Sequence, residues 1–249
     1  MATLPFALQL YTVRDHMDTD IPGTLKRVKE IGYDNVELAG LGPYTAEEYS
    51  YFLADAGLTA ISAHFGFNEV VHETAMVAEA GDALGLAFIV MPWLGGELCP
   101  DMDAWVANIA ALDQSGASLR EMGITLCYHN HAHEFERING KCIFDQIFDT
   151  ASPENLSAEL DTYWAKFGGA DPVSTIKKYT GRCPLIHVKD MEAEEPRSFT
   201  ELGRGIMDWK SIFAAARHAD VRWYIVEQDV CKGDSLESAR IGAEFMRHQ

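Results

Sequence analysis

Three residues that can bind a metal ion or transfer a proton follow short apolar stretches of this chain. Asp161 ends AELD, His187 ends PLIH, and Glu227 ends YIVE. A charged side chain at the end of a buried strand is costly unless it meets a metal ion, a substrate or an opposite charge. Two carboxylates and an imidazole, without a thiolate, suit a catalytic cation better than a structural zinc site. We therefore predict one bound divalent metal ion: Mn²⁺, Mg²⁺, Co²⁺, Fe²⁺ or Zn²⁺.

The segment YHNHAHEF brings further proton-transfer candidates to the end of another apolar stretch. His129 and His131 are two positions apart, so they share one face of a strand. Glu134 lies beyond the predicted strand end, where the chain could turn it back over the site. The residues that we predict to contact a substrate are His64, His131, Trp164, Lys189 and Arg204.

Some residues near these positions are explained equally well by structural roles. His64 could be a hydrogen-bonded residue of the sheet rather than a substrate contact. Glu159 and Asp229 could be paired structural charges, and Lys189 could form an ion pair with its neighbour Asp190. A structural role is harder to assign to the first three residues, because they share one depth at the ends of three consecutive strands.

Eight apolar stretches of strand length alternate with helical segments along the whole chain. The predicted strands are FALQLYT, DNVELAG, TAISAHFGF, AFIVMPW, ITLCYHNH, NLSAELDT, PLIHVKD and WYIVEQD. One helix is expected from about Glu69 to Gly85. Eight parallel strands joined by helices close into a (βα)₈ TIM barrel, whose active sites lie at the carboxyl ends of the strands. An open doubly wound sheet would lead us to expect a glycine-rich loop after the first strand, but LYTVRD stands there.

Length and composition fit a single-domain α/β barrel over residues 1–249. The net charge of −18 argues against nonspecific binding to nucleic acid, since a polyanion would be repelled. No apolar run approaches the ~18 residues of a membrane span. The five cysteines form no CxxC pair, and the first residues lack the features of a signal peptide, so we expect a cytoplasmic protein with reduced thiols. The oligomeric state stays open, and a homo-oligomer is compatible with the sequence.

In this order and spacing, the motifs resemble the xylose isomerase-like TIM barrels, the sugar phosphate isomerase/epimerase superfamily, which also contains inosose dehydratases and barrel-type AP endonucleases. The resemblance covers essentially the whole chain and rests on LQLYTVR, GYDNVEL, YHNHAHEF, LDTYWAKFGGADP, HVKD, GRGIMDW and VEQD. Members of the superfamily bind one divalent cation through a Glu, an Asp, a His and a second Glu. The resemblance implies Asp161, His187 and Glu227 as three of these ligands. It implies Glu134 as the first Glu, with His129 as the alternative, because His129 stands where many epimerases have the strand-five Glu.

The resemblance also implies a reaction. A carboxylate removes the proton next to a metal-polarised carbonyl of a keto-sugar or sugar phosphate, and return of the proton isomerises or epimerises the substrate. Glu134 and Glu227 are the candidate acid/base pair, and His129 could share the proton transfer. The alternative is elimination from the same enediolate, as in an inosose dehydratase or a keto-glycoside lyase acting on a sugar or cyclitol. An AP endonuclease-like nuclease and a non-catalytic sugar-binding barrel are less favoured.

Overall fold

The computed structural model of the protein describes residues 4–249. Within them, eight parallel strands close into a barrel, each paired to its neighbours in chain order, with the first strand pairing to the last. This confirms the predicted (βα)₈ fold. The strands are β1 Phe6–Gln9, β2 Asn35–Leu38, β3 Thr59–His64, β4 Phe88–Met91, β5 Thr125–His129, β6 Ser157–Asp161, β7 Leu185–Val188 and β8 Trp223–Val226.

One main helix follows each strand and packs on the outside of the barrel. These helices are α1 Ile21–Ile31, α2 Ala46–Ala56, α3 Thr74–Leu84, α4 Met102–Glu121, α5 Ile143–Thr150, α6 Pro172–Lys178, α7 Trp209–His218 and α8 Ser235–Arg247. Shorter helices lie in the loops after the strands, at Arg14–Met17, Phe67–His72 and Thr162–Phe167. None of the helices in residues 4–249 is both long enough and apolar enough to cross a membrane.

The single helix expected from Glu69 to Gly85 is wrong, because the structure divides this stretch in two. Phe67–His72 forms one helix and α3 begins at Thr74. Between them Glu73 has φ −126° and ψ 32°, which lies outside the helical region. The hydroxyl of Thr74 donates a hydrogen bond to the carbonyl of Val70 at 2.7 Å. Such local side-chain bonding competes with a continuous helix and fits the break at this position.

The interior of the barrel changes from apolar to polar along the strands. The apolar layer contains Ala7, Ile61, Phe88, Val90, Cys127, Leu185 and Ile225. Two positions after Cys127, Leu185 and Ile225, the same faces carry His129 on β5, His187 on β7 and Glu227 directly after β8. Because side chains alternate across a strand, a period of two keeps both layers inside the barrel. The polar layer is therefore placed at the carboxyl ends of the strands, above an apolar plug.

The loop after β7 is held by one buried carboxylate. Asp190 accepts hydrogen bonds from the backbone N–H of Gly203 at 2.9 Å and of Met207 at 3.1 Å. It also accepts one from the indole N–H of Trp209 at 2.9 Å. Asp190 thus has a structural role, but its partners are loop groups rather than Lys189. The side chain of Asp190 therefore fixes the end of β7 and leaves Lys189 free to point into the barrel.

Candidate active site

A cavity of about 700 Å³ opens at the carboxyl ends of the strands. Six of the predicted site residues line it: His64, His129, His131, Trp164, Lys189 and Glu227. Asp161 and His187 are fully buried and contact the lining residues Lys189 and Glu227, and we call this buried end of the cavity its floor. The barrel therefore brings most of the predicted residues to one place, on the face where enzymes of this fold carry their sites.

His187 lies between two carboxylates. Its Nδ1 is 2.7 Å from Oε2 of Glu227, and its Nε2 is 2.8 Å from Oε1 of Glu37. A carboxylate only accepts hydrogen bonds, so both ring nitrogens face acceptors. Burial alone would lower the pKa of His187, but the charges of Glu159, Glu227 and Glu37 outweigh it and raise that pKa well above its usual value. One ring position of His187 is thus suited to a cation in place of a proton.

His129 has the arrangement that is common for a metal-binding histidine. Its Nδ1 is 3.1 Å from Oε2 of Glu159, while its Nε2 is 3.8 Å from Oδ2 of Asp161. Burial and the nearby charge of His187 hold the pKa of His129 well below its usual value, so the ring is neutral. Donation from Nδ1 to Glu159 leaves a lone pair on Nε2, directed towards Asp161. Histidines that ligate metals usually donate their other N–H to a carboxylate in this way.

Asp161 is fixed by its place at the start of a helix. One carboxylate oxygen accepts the backbone N–H of Trp164 at 2.8 Å, and the backbone N–H of Asp161 donates to the side chain of Asn130 at 3.0 Å. The other oxygen, Oδ2, is buried, and its charged partner among the described residues is Nζ of Lys189 at 2.8 Å. Burial raises the pKa of Asp161 to about 6. A cation that binds Oδ2 would therefore share this oxygen with the ammonium group of Lys189.

Lys189 occupies the space between three carboxylates. Its Nζ is 2.8 Å from Oδ2 of Asp161, 2.5 Å from Oε2 of Glu227 and 2.6 Å from Oδ1 of Asp229. Burial opposes the charge of Lys189, yet the three carboxylates raise its pKa well above the usual value. The same ammonium helps to lower the pKa of Glu227, against the opposing effect of burial. An ion that binds Asp161 and Glu227 would compete with this ammonium group.

A second cluster lies deeper, around Glu159. Its Oε2 is 3.1 Å from Nδ1 of His129 and 3.2 Å from Nε2 of both His64 and His187. Its other oxygen is buried without a hydrogen-bond partner in the described chain. Burial would lower the pKa of His64, but Glu37 and Glu159 raise it to about 9. Two sets of ligand atoms are thus close enough to share an ion: His64, His129, Glu159 and His187, or Asp161, His187 and Glu227.

Glu134 does not meet the other predicted ligands. Its carboxylate accepts hydrogen bonds from the hydroxyl of Tyr128 and from the backbone N–H of His131, both at 2.8 Å. It belongs to neither ligand set found in residues 4–249. The short 3₁₀ helix His133–Phe135 follows β5 and directs Glu134 back against β5 rather than over the cavity. This placement argues against Glu134 as a ligand and favours His129, the alternative.

The predicted substrate contacts divide into two groups. The indole N–H of Trp164 donates to Asp229 at 3.2 Å, and Nδ1 of His131 is buried without a hydrogen-bond partner in the described chain. Burial and the charge of Lys189 lower the pKa of His131 to about 3, so its ring is neutral. Arg204, by contrast, is 59% exposed and pairs with Glu201, so the structure leaves it outside the cavity.

One residue of the polar layer was not among the sequence candidates. Glu37 is fully buried on β2 and accepts hydrogen bonds from Gln9 at 2.8 Å and Ser62 at 2.5 Å. The only signal in the sequence is a glutamate inside the apolar stretch NVEL. Its position shows that Glu37 and Glu159 support the imidazoles from below, beneath Asp161 and Glu227.

The donor set fits a divalent cation. Five buried or largely buried carboxylates meet at the cavity floor: Glu37, Glu159, Asp161, Glu227 and Asp229. Among the described residues, Lys189 is the only lysine or arginine whose charge contacts their oxygens. An uncompensated buried charge is strongly destabilising, by roughly 3–5 kcal/mol. One oxygen of Glu159 has no hydrogen-bond partner in the described chain. The five carboxylates also outnumber Lys189 and the two imidazoles with raised pKa values, His64 and His187, so the set is consistent with a further positive charge.

Comparisons with known proteins agree with this architecture. A sequence model described as xylose isomerase-like TIM barrel matches residues 25–249. An inosose dehydratase of Lacticaseibacillus casei is 28% identical over 163 residues, which cover 58% of this chain and 54% of that protein. The chain thus spans about half the length of the curated relatives it matches.

Solved structures share the fold across nearly the whole chain. A sugar phosphate isomerase/epimerase from Parabacteroides distasonis superposes with a TM-score of 0.87 at 23% identity, covering 98% of this chain and 94% of that one. The structure of the IolI protein with a bound zinc atom superposes with a TM-score of 0.76 at 15% identity, covering 98% and 96%. At these identities the superpositions establish the fold alone.

Proposed function

Since this chain belongs to the xylose isomerase-like TIM barrel family, we propose that it is a divalent-metal-dependent enzyme that removes the proton next to a carbonyl group of a keto-sugar or keto-cyclitol. The observation that carries the proposal is the buried group of Asp161, His187, Lys189 and Glu227 at the cavity floor. A structural ion pair would need only one carboxylate for Lys189. Here three carboxylates surround its ammonium group, and the imidazole of His187 contacts one of them.

We assign the ion to Asp161, His187 and Glu227, with His129 as the fourth ligand. His129 and His187 each have one ring nitrogen facing this set, and Glu159 and Glu37 accept from their other nitrogens. This arrangement explains why two additional buried carboxylates lie beneath the site. A bound divalent ion would supply Lewis-acid stabilisation of the negative charge that develops on a carbonyl oxygen.

Glu227 is the proposed base. It lines the cavity, and the charges of Lys189 and His187 keep it anionic despite burial. An anionic carboxylate can accept the proton from the carbon next to the carbonyl. Lys189 contacts both Glu227 and Asp229, so it can hold Glu227 in place and donate hydrogen bonds to substrate oxygens. Trp164 forms part of the cavity wall, where an apolar ring surface can pack against a sugar.

Elimination is the second candidate for the outcome of proton removal. The curated relatives are named inosose dehydratases, which favours a lyase as much as the epimerase-like structures favour an isomerase. In this structure His131 also has a buried ring nitrogen without a hydrogen-bond partner at the cavity. The proton that Glu227 removes can return to the departing hydroxyl group so that water leaves, and the N–H of a neutral His131 can donate a hydrogen bond to that oxygen. Both outcomes share the same ion and the same base.

We expect one tightly bound divalent ion per chain, and its loss in Asp161→Asn. The physical reason is that Asp161 supplies a buried anionic oxygen to the ligand set, which asparagine replaces with a neutral amide group. Elemental analysis of protein purified without chelator measures the stoichiometry, and the absorption spectrum of the Co²⁺-loaded protein reports the ligand geometry. The matched control is Glu134→Gln, which should keep the ion. Retention by Asp161→Asn together with loss in Glu134→Gln would show that the ligand assignment is wrong.

Replacement of His131 by asparagine should separate elimination from isomerisation. If the enzyme eliminates, this variant should form less dehydrated product while still exchanging the substrate proton with solvent, because proton removal needs only the base and the ion. If it isomerises, exchange and product formation should fall together. Mass spectrometry of an inosose, of ketohexoses and of a keto-glycoside incubated in deuterated water measures both processes. Complete absence of exchange in the metal-loaded wild-type protein, with every substrate tested, would contradict the proposed reaction class.

A further inference from the structure

A second concave surface adjoins the cavity of the candidate active site. It has a volume of about 410 Å³ and shares Tyr11, Arg14, Ala39 and Gly40 with that cavity. Tyr44 and Tyr49 line its far side, so we call it the tyrosine groove. Because these four residues line both spaces, the tyrosine groove lies directly beside the cavity.

The tyrosine groove exposes aromatic surface that the core does not use. Tyr11 is 43% exposed and Tyr44 is 37% exposed. Tyr44 is held by edge-to-face contacts with Phe52 at 5.5 Å and with Tyr49 at 6.1 Å between ring centres. Exposed large apolar side chains that gather at one place usually mark a binding site, whereas scattered ones need no explanation. Trp93 and Val230 are exposed at the neighbouring cavity as well, so both adjoining spaces present exposed apolar side chains.

Arg14 fixes the boundary between the two spaces. Its guanidinium lies 4.0 Å from the ring centre of Tyr11 and donates to the carbonyl of Tyr11 at 2.8 Å. It also donates to the backbone carbonyl of Asp229 at 2.8 Å, and Asp229 contacts Lys189 at the cavity floor. The tyrosine groove is therefore held in a constant position relative to the reacting groups, as a subsite for one part of a substrate requires.

From this arrangement we propose that the substrate carries a second sugar ring, which binds in the tyrosine groove while the keto-sugar ring occupies the cavity. This inference rests on the proposed function. A pyranose ring has an apolar C–H face for Tyr11 and Tyr44 and hydroxyl groups for the charged Arg14 and Asp18 that also line the groove. A purely apolar substituent would instead desolvate these charges without replacing their hydrogen bonds. The substrate class is therefore a keto-glycoside rather than a free monosaccharide.

Calorimetric titration with sugars that lack a ketone tests the subsite, because such sugars can bind but cannot undergo the proposed reaction. Neither glucose nor cellobiose carries a ketone, and we expect the metal-loaded protein to bind cellobiose about tenfold more tightly than glucose, a gain typical of one or two aromatic contacts. Tyr44→Ala should remove this advantage while leaving the affinity for glucose unchanged. Tyr51→Ala is the matched control, because Tyr51 is 69% exposed and does not line the groove. Both sugars should bind this control as they bind the wild type.

Two results would overturn the proposal: equal affinity of the wild-type protein for the two sugars, or a cellobiose advantage that survives in Tyr44→Ala. If Tyr44→Ala does not fold, Tyr44→Leu decides, because leucine keeps apolar packing against Phe52 but lacks a flat ring face. If the protein binds cellobiose more tightly than glucose but never exchanges a substrate proton, the subsite is supported and the proposed reaction is contradicted. The two proposals therefore fail separately.

Discussion

Replacement of Glu227 by glutamine is expected to lower the rate of substrate proton exchange by ~10²–10⁴-fold, the usual contribution of a positioned general base. Glutamine has nearly the same shape but cannot take up the proton. Exchange is measured by incubating an inosose, a ketohexose or a keto-glycoside in deuterated water at saturating metal concentration. The metal content is measured on the same samples, so that a lost base can be distinguished from a lost ion.

Glu192→Gln is the control for this experiment. Glu192 is a surface carboxylate that pairs with Lys232, and nothing places it at the cavity. Its variant should exchange the substrate proton at the wild-type rate. Wild-type exchange in a folded Glu227→Gln protein would remove Glu227 from the role of base.

Replacement of Lys189 by methionine should have opposite effects on metal binding and on activity. The ammonium of Lys189 contacts two proposed ligands, Asp161 and Glu227, so it competes with a cation for their oxygens. Like unit charges about 4 Å apart repel by ~4 kcal/mol at an effective dielectric constant of 20, and 1.4 kcal/mol corresponds to a factor of ten. We expect Mn²⁺ to bind Lys189→Met at least tenfold more tightly, while substrate proton exchange falls because Glu227 loses the group that holds it.

Titration of the metal-free protein with Mn²⁺, followed by electron paramagnetic resonance, measures this affinity. Lys178→Met is the matched control, since Lys178 pairs with Asp145 on the outer surface. Weaker Mn²⁺ binding by Lys189→Met, with an unchanged thermal unfolding midpoint, would contradict the competition. It would indicate instead that Lys189 supports the ligands from outside their shell.

The fold was predictable because apolar periodicity and helix punctuation repeat eight times along the chain. The strand ends were less so. The predicted strands FALQLYT and WYIVEQD end at Gln9 and Val226 in the structure, so Glu227 follows its strand directly. The pattern of apolar residues indicates which residues are buried. At the carboxyl ends of the strands the chain stays buried beyond the last hydrogen bond between strands, so the pattern predicts strands that are too long. The break at Glu73 depends on backbone angles that periodicity does not report.

The residues that meet at the cavity floor were predictable where a polar residue ends an apolar stretch, as Asp161, His187 and Glu227 do, while their roles stay predictions. Asp161 also accepts a capping hydrogen bond from the backbone N–H of Trp164, and such a contact between residues three apart can be predicted from the local sequence. Glu37 could not be found in this way, because its role depends on His187, 150 residues away in the chain. Glu134 illustrates the same limit, since its contact with Tyr128 is set by the turn after β5. Long-range partners decide these roles, and a single sequence does not show them.

The apolar plug beneath the polar layer has an electrostatic consequence. Its side chains are almost completely buried, so they form a low-dielectric wall at one end of a group of carboxylates. A cleft with low-dielectric walls and charges of one sign focuses its field towards the open end. In this barrel the electric field of the carboxylates is therefore directed through the open end of the cavity, where a cation would enter. Capture of the ion should accordingly be fast at low ionic strength and slow down as salt screens the mouth.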